Sequence, residues 1–315
     1  MLKSLRLTAL ASIAVLMVAA CSSGASPTPA PTAAPTVAPT AAPGSQAPAT
    51  EAPTAAPTVD PNSLLGKVMA KGKIVMSTDA AYPPQSQLDP KSPLGYSGFD
   101  IDVGSEIAKR LGVEIEFITP AWSLITAGSW GGRWDFSVGS MTITPAREKA
   151  LSFTKPYYFT PAQMAASTVS GITTIEGLAG KTICVAEATT YYDWLIGSEA
   201  RPSVAVTPPP GAKAFTLKTD RLCAEAWKAG RKEAEGWLSS STTVEQAVKD
   251  GLPLIKIGDA VFHEPLGVAF DKSGPDPTSM IDKVNEILDA MRADGTLKGF
   301  SVKWLGVDLT TPPAE

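Results

Sequence analysis

The sequence predicts an α/β fold with a mainly parallel sheet covered by helices on both faces. Three observations lead there. Short apolar segments such as KIVMS (73–77) and TICVA (182–186) have the length and β-branched content of buried strands. Each is followed by a run with helical spacing of its apolar residues, and that alternation is the pattern of parallel sheets. Two stretches, GKIVMSTDAAY (72–82) and GKTICVAEATTY (180–191), also echo one another, as two similar α/β halves would.

The elements follow in order. KIVMS is the first strand. VGSEIAKRLG (103–112) is a helix with Ile107, Ala108 and Leu111 on one face and Gly112 as its stop. VEIEFI (113–118) alternates, with Val113, Ile115 and Phe117 on one side. A Trp-rich helix near 122–131, a strand at 134–139 and a helix from Pro145 come next. TICVA opens a second set, with a helix from about Tyr191, a short strand near Val204, a helix across 219–229 and a further segment at 233–239. PTSMIDKVNEILDAMRADG (277–295) is a long amphipathic helix with Ile281, Val284, Leu288 and Met291 on one face.

The start of the chain has a different character. Lys3 and Arg6 precede an apolar run, Leu7 to Ala20, which is too short to span a bilayer comfortably and has the shape of an export signal. It ends in Val18-Ala19-Ala20-Cys21, which resembles a bacterial lipobox, so Cys21 is the expected lipidation site. From Pro27 to Pro61 the sequence is almost entirely Pro, Ala and Thr. Such a stretch has no apolar face with which to offset its ordering entropy. It reads as an extended tether of roughly 3 Å per residue. No second apolar run reaches membrane-spanning length.

Charge narrows the function. Two of the 27 basic residues lie in the leader, which leaves 25 against 31 acids and no basic patch to grip nucleic acid. With Cys21 lipidated, Cys184 and Cys223 remain as an even pair in an exported chain. They are either bonded to one another or buried as free thiols. Enzymatic signatures are weak. The one histidine, His263, has no nucleophile motif around it, and no His/Cys cluster has metal spacing. EGLAGKT resembles a phosphate loop, but the required first glycine is replaced by Ile175. No cofactor is implied.

Anion-binding chemistry is better represented. Ser140 and Thr142 lie at the end of the 134–139 strand, and Thr144-Pro145 reads as a helix cap with Arg147 in the first turn. A cation there opposes the helix dipole, which makes sense if an anion completes the site. Hydroxyls, free N–H groups and a planar guanidinium together fit a carboxylate. The alternative is a surface arginine paired with Glu148 or Asp135. In the second half, Thr189 or Thr190 caps another helix. Asp79 follows the first strand, where α/β sheets bind ligands, and either accepts from an ammonium group or stabilises its own turn. Tyr82 and Trp122 are aromatic residues suited to walling the apolar part of a ligand or to filling the core.

Four motifs, STDAAYPP, YSGFDIDVGSEIAKRLG, WDFSVGSMTITPAREKALSFTKPYY and GLAGKTICVAEATTYYDWL, resemble in the same order the solute-binding proteins of polar-amino-acid ABC transporters. The resemblance covers about residues 65–310. It implies a two-lobed, periplasmic-binding-protein-like fold of type II, with a hinge of two crossing strands near 164–169 and 263–268. The expected layout is a signal peptide (1–20), a lipidated Cys and tether (21–62), lobe 1 (63–166 and 265–310), lobe 2 (167–264) and a tail (311–315). Carried over by motif, Arg147 takes the ligand carboxylate, and Thr142 and Thr190 donate backbone N–H groups to it. Asp79 contacts an amine or polar side chain, Ser140 contacts the ligand amine, and Tyr82 and Trp122 line the pocket.

One departure stands out. The family places an aspartate after a Gly-Arg-x-Asp-Ala segment to bind the α-ammonium. This chain has GRKEAEGWLSSSTT (230–243), with Glu233 for the first acid and Leu238, Ser239 or Ser240 at the amine position. The expectation is therefore an extracytoplasmic, lipid-anchored monomer that delivers an amino acid or similar small carboxylate to an ABC permease. A ligand-sensing co-receptor and a dehydratase-type enzyme are the alternatives. His263 falls near the return strand, where a surface or hinge role is expected.

Overall fold

The computed structural model describes residues 59–201 and 206–313. The leader, Cys21, most of the tether and the strand expected near Val204 lie outside these residues.

The described residues open with α1 (Leu64–Lys71), capped by the Ser63 hydroxyl on Gly66 N–H, and enter β1 (Lys73–Ser77) at the predicted residues. A small meander follows: β2 (Ala81–Tyr82), β3 (Ser86–Leu88) and β4 (Tyr96–Ser97). α2 (Phe99–Leu111) buries Ile107, Ala108 and Leu111 and stops at Gly112, which takes the left-handed conformation that a side chain would resist. It begins at Gly98, whose backbone passes so close to Gln85 that a Cβ would lie 2.2 Å from that carbonyl oxygen. β5 (Glu114–Ile118) matches the predicted alternation. The Trp-rich helix is shorter than expected. α3 (Trp122–Thr126) ends before Gly128 and Ser129, both at positive φ, and Trp130 and Trp134 pack in the core beyond it.

β6 (Phe136–Thr142) is followed by a correction. No α-helix starts at Pro145. Thr144 does cap, accepting from Arg147 N–H, but Arg147–Lys149 form only a 3₁₀ turn. The chain is then drawn into β7 (Leu151–Phe153), which pairs in the main sheet and ends the helical run. The helix-dipole argument for Arg147 therefore does not apply.

The remaining elements are β8 (Tyr158–Ser167), β9 (Thr182–Ala186), α4 (Thr190–Ile196), β10 (Lys213–Leu217), α5 (Asp220–Lys228), β11 (Gly236–Ser240), α6 (Ser241–Lys249), β12 (Leu254–Lys256), β13 (Phe262–Asp271), α7 (Thr278–Ala293) and α8 (Thr296–Leu305). In α7, Val284, Leu288 and Met291 are buried as spaced, with Ile281 packed beside them.

The main sheet runs β10-β9-β11-β8-β13-β6-β1-β5, with β12 on β8 and β7 on β13. Both ends are parallel triplets: β1 lies between β5 and β6, and β9 between β10 and β11. The two echoing stretches thus contain equivalent strands. The centre differs from a simple parallel sheet, because β8 and β13 are long antiparallel partners. Their mutual pairing spans Tyr158–Ala162 and Phe262–Leu266; beyond it β8 continues along β11 and β12, and β13 along β6 and β7. Each strand thus passes from one half to the other, giving two lobes joined by crossing strands. The pairing in β8 begins several residues before the expected segment 164–169.

Each lobe has cores on both sheet faces. In the first, Phe99, Ile107, Leu288 and Phe270 lie on one side, and Ile125, Trp130, Trp134 and Leu151 on the other. In the second, Leu178, Trp194 and Phe262 face Cys184, Cys223, Trp227 and Trp237 across the sheet. Cys184 of β9 and Cys223 of α5 are bonded, tying helix to sheet beneath one core. Among the described residues, no helix is long and apolar enough to cross a membrane.

Candidate functional site

A small cavity lies between the lobes. All eight residues singled out from the sequence line it. Asp79, Tyr82, Trp122, Ser140, Thr142 and Arg147 come from the first lobe, and Thr189 and Thr190 from the second.

The first-lobe wall is built where β1 and β6 end. Asp79 follows β1 and accepts from Ala81 N–H at 2.9 Å, so its turn-stabilising bond and its cavity position coexist. Burial pushes the Asp79 carboxyl above its ordinary range, and the Ala81 N–H only partly opposes this. Ser140 sits near the end of β6 with φ 54°, a conformation rare for a non-glycine residue. Four bonds hold it there or fix its hydroxyl. Its N–H donates to Tyr157 Oη at 3.0 Å, its Oγ donates to Asp100 at 2.7 Å and accepts from Tyr158 Oη at 2.6 Å, and Tyr157 Oη donates to Asp100 at 2.6 Å. Asp100 is fully buried behind the wall, and burial raises its pKa to about 7 against the pull of those hydroxyls. Because the Ser140 proton is directed at Asp100, what Ser140 has left for the cavity is acceptor capacity.

Arg147 is not paired with Glu148 or Asp135. Its guanidinium donates to Thr142 O at 3.0 Å and to Ala188 O at 3.1 Å, and lies 5.6 Å from the Trp122 ring centre. Burial lowers its pKa, while the charges of Glu264 and Asp193 work the other way. Trp122 Nε1 donates to the same Ala188 carbonyl at 3.1 Å. Two first-lobe side chains therefore converge on a second-lobe carbonyl that a positive φ of 58° at Ala188 turns into the gap.

On the second lobe, Thr189 is the N-cap of α4, its hydroxyl accepting from Tyr192 N–H at 3.2 Å. Thr190 Oγ1 donates to Glu264, and Thr142 Oγ1 donates to the same carboxylate oxygen at 2.7 Å. Glu264, on β13 and 1 % exposed, thus joins the two lobes beneath the cavity. Tyr82 and Tyr191 meet across the gap with hydroxyls 3.4 Å apart.

Leu238, Ser239 and Ser240 do not line the cavity. Gln85, fully buried after β2, reaches from the first lobe to the turn between β11 and α6. It donates to Thr242 Oγ1 at 2.6 Å and Ser240 Oγ at 3.3 Å, and accepts from Thr243 Oγ1 at 3.2 Å. Those hydroxyls are occupied by the other lobe. The acids at the cavity are Asp79, Glu264 and Asp220, the last raised to about 8 by burial. Lys218 lies at its exposed edge. His263 is exposed and away from the lining.

Sequence reasoning missed Asp220, Glu264, Tyr191 and Gln85. Only Glu264 carried a local signal, an acid inside an otherwise apolar strand, where an unpaired charge is costly.

The chain is 28 % identical over 249 residues to the L-cystine-binding protein TcyJ of Escherichia coli (strain K12), covering 78 % of this chain and 88 % of that one. The ancestral amino acid-binding protein AncCDT-1, a precursor of cyclohexadienyl dehydratase, superposes with a TM-score of 0.65 at 28 % identity, over 77 % of this chain and all of its own. An ancestral arginine-binding protein bound to arginine superposes with a TM-score of 0.63 at 26 % identity, over 75 % of this chain and 99 % of its own. The profile of bacterial extracellular solute-binding proteins, family 3, matches residues 74–307, and the chain belongs to that family.

Proposed function

We propose that the cavity between the lobes binds an amino acid, and that the protein is an extracytoplasmic solute-binding lipoprotein delivering it to an ABC permease. Lobe 1 is taken as 63–166 with 265–310, and lobe 2 as 167–264. Arg147 receives the ligand carboxylate beside Thr142 and Thr190; Tyr82 and Trp122 flank its apolar part; Asp79 and Ser140 accept from amino or other donor groups. Lipidation at Cys21 would keep the body close to the membrane on its tether.

One observation carries the reading: Arg147 and three acids, Asp79, Asp220 and Glu264, line one cavity that both lobes enclose. A simple carboxylate would satisfy Arg147, with Lys218 at the edge, and leave the three acids without a donor from the ligand. An amino acid brings opposite charges to both. The excess of acids further favours a ligand with additional donor groups, in keeping with the cystine and arginine named for relatives.

Thermal-shift and calorimetric screening with the twenty common L-amino acids, L-cystine and small mono- and dicarboxylates tests this. Saturable binding of at least one amino acid, recovered chemically unchanged after incubation, is the expected result. Binding of carboxylates alone would overturn the amino-acid reading, and conversion of the bound compound would favour the dehydratase-type alternative.

A further inference from the structure

Asp220 is the first residue of α5, 5 % exposed, and lines the cavity. Its Oδ1 is buried without a hydrogen-bond partner. An acid at a helix start is commonly explained by the backbone N–H groups it faces. That account leaves Oδ1 unexplained, because among the described residues no N–H donates to it, and Thr219 holds the cap position.

The other acids at the cavity have partners of their own. Glu264 accepts from Thr142 and Thr190. Asp79 accepts from Ala81 N–H. Ser240, Thr242 and Thr243, where β11 meets α6, are engaged by Gln85, and none of them lines the cavity. Asp220 is therefore the acid at the cavity with a buried oxygen left unsatisfied, and the Ser239 hydroxyl is the one neighbouring group that favours its charged form.

We propose that Asp220 is the second-lobe receptor for the ligand's α-ammonium, relocated from the end of β11 to the start of α5. The inference rests on the amino-acid reading given above and adds a specificity-determining residue to it. Arg147 and Asp220 stand on opposite lobes of one cavity. A ligand carrying both a carboxylate and an ammonium group links them and supplies a donor for the unsatisfied oxygen of Asp220. A solute with only a carboxylate leaves Asp220 buried and unpaired, and the site discriminates against it for that reason. Burial pushes this carboxyl up to about 8, with the Ser239 hydroxyl opposing the shift and Asp79 and Glu264 adding to it. A bound ammonium reverses that shift.

Wild type and Asp220→Asn are titrated calorimetrically with the twenty common L-amino acids and L-cystine, and each binder is compared with its desamino acid. Wild type should prefer the amino acid over the desamino acid by about 100-fold. The variant should lose about 100-fold for the amino acid and treat the pair nearly alike. Asp220→Ser is measured beside it, and melting of both ligand-free variants at or above the wild-type temperature separates lost binding from lost fold. Amino-acid binding within about threefold of wild type in either folded variant overturns the assignment and leaves the amino-acid reading standing. A wild type that binds none of these amino acids overturns both.

Discussion

Asp100 shows how much a single buried group constrains its neighbours. It is fully buried, and the hydroxyls of Tyr157 and Ser140 both donate to it. Its folded pKa, about 7, lies above the ordinary value of 3.8. Between those two values the native state holds the proton more tightly than the unfolded chain does. Stability from this group is therefore fully present below the unfolded pKa and is lost as pH rises through the folded one. Asp220 acts in the same direction with a folded value of about 8. The ligand-free melting temperature should decline from about pH 5 to about pH 8, and Asp100→Asn should flatten the lower part of that decline. A variant profile that runs parallel to wild type would show that Asp100 does not titrate in this window. Arg147 was legible because its hydroxyl-rich surroundings are contiguous in the chain. Asp220, Gln85 and Glu264 were not. Gln85 lies 155 residues or more from the hydroxyls it meets, and an acid at a helix start looks the same in sequence whether it faces water or a cavity.

At the level of elements, the sequence carried most where burial and periodicity coincide. β1 and α7 have apolar residues at strand and helix spacing, and both form at or close to the expected residues. β10 was not anticipated, because KAFTL mixes exposed and half-buried residues at the sheet edge. The helix expected at Pro145 stops after one 3₁₀ turn because β7 is needed beside β13, a demand set by residues more than a hundred positions away. The bond between Cys184 and Cys223 closes a loop of 39 residues between β9 and α5. Constraining the unfolded chain in this way contributes about 3–4 kcal/mol. Urea unfolding of a Cys184→Ser, Cys223→Ser double variant should show a loss of that order. A loss under about 1 kcal/mol would mean that the buried core alone holds α5 on the sheet.

At the scale of the whole molecule, two lobes that echo each other in sequence are joined through long strands and through side chains that meet across the gap. Gln85 on the β11–α6 turn, Trp122 and Arg147 on the Ala188 carbonyl, and the two threonines on Glu264 are bonds of a closed arrangement. A ligand touching both lobes stabilises this state over an open one by the contacts that only closure completes. The echo between residues 72–82 and 180–191, together with the resemblance, made two lobes legible from the sequence. The register of β8 with β13 was not, because it joins segments about a hundred residues apart through backbone bonds that leave no mark on composition. The measurement that bears most directly on the proposed site is calorimetric titration of folded Arg147→Met with an amino acid that wild type binds. Removal of the guanidinium should weaken binding by at least about 100-fold while the ligand-free variant still melts cooperatively. Affinity within about threefold of wild type would contradict the assignment of the carboxylate to Arg147.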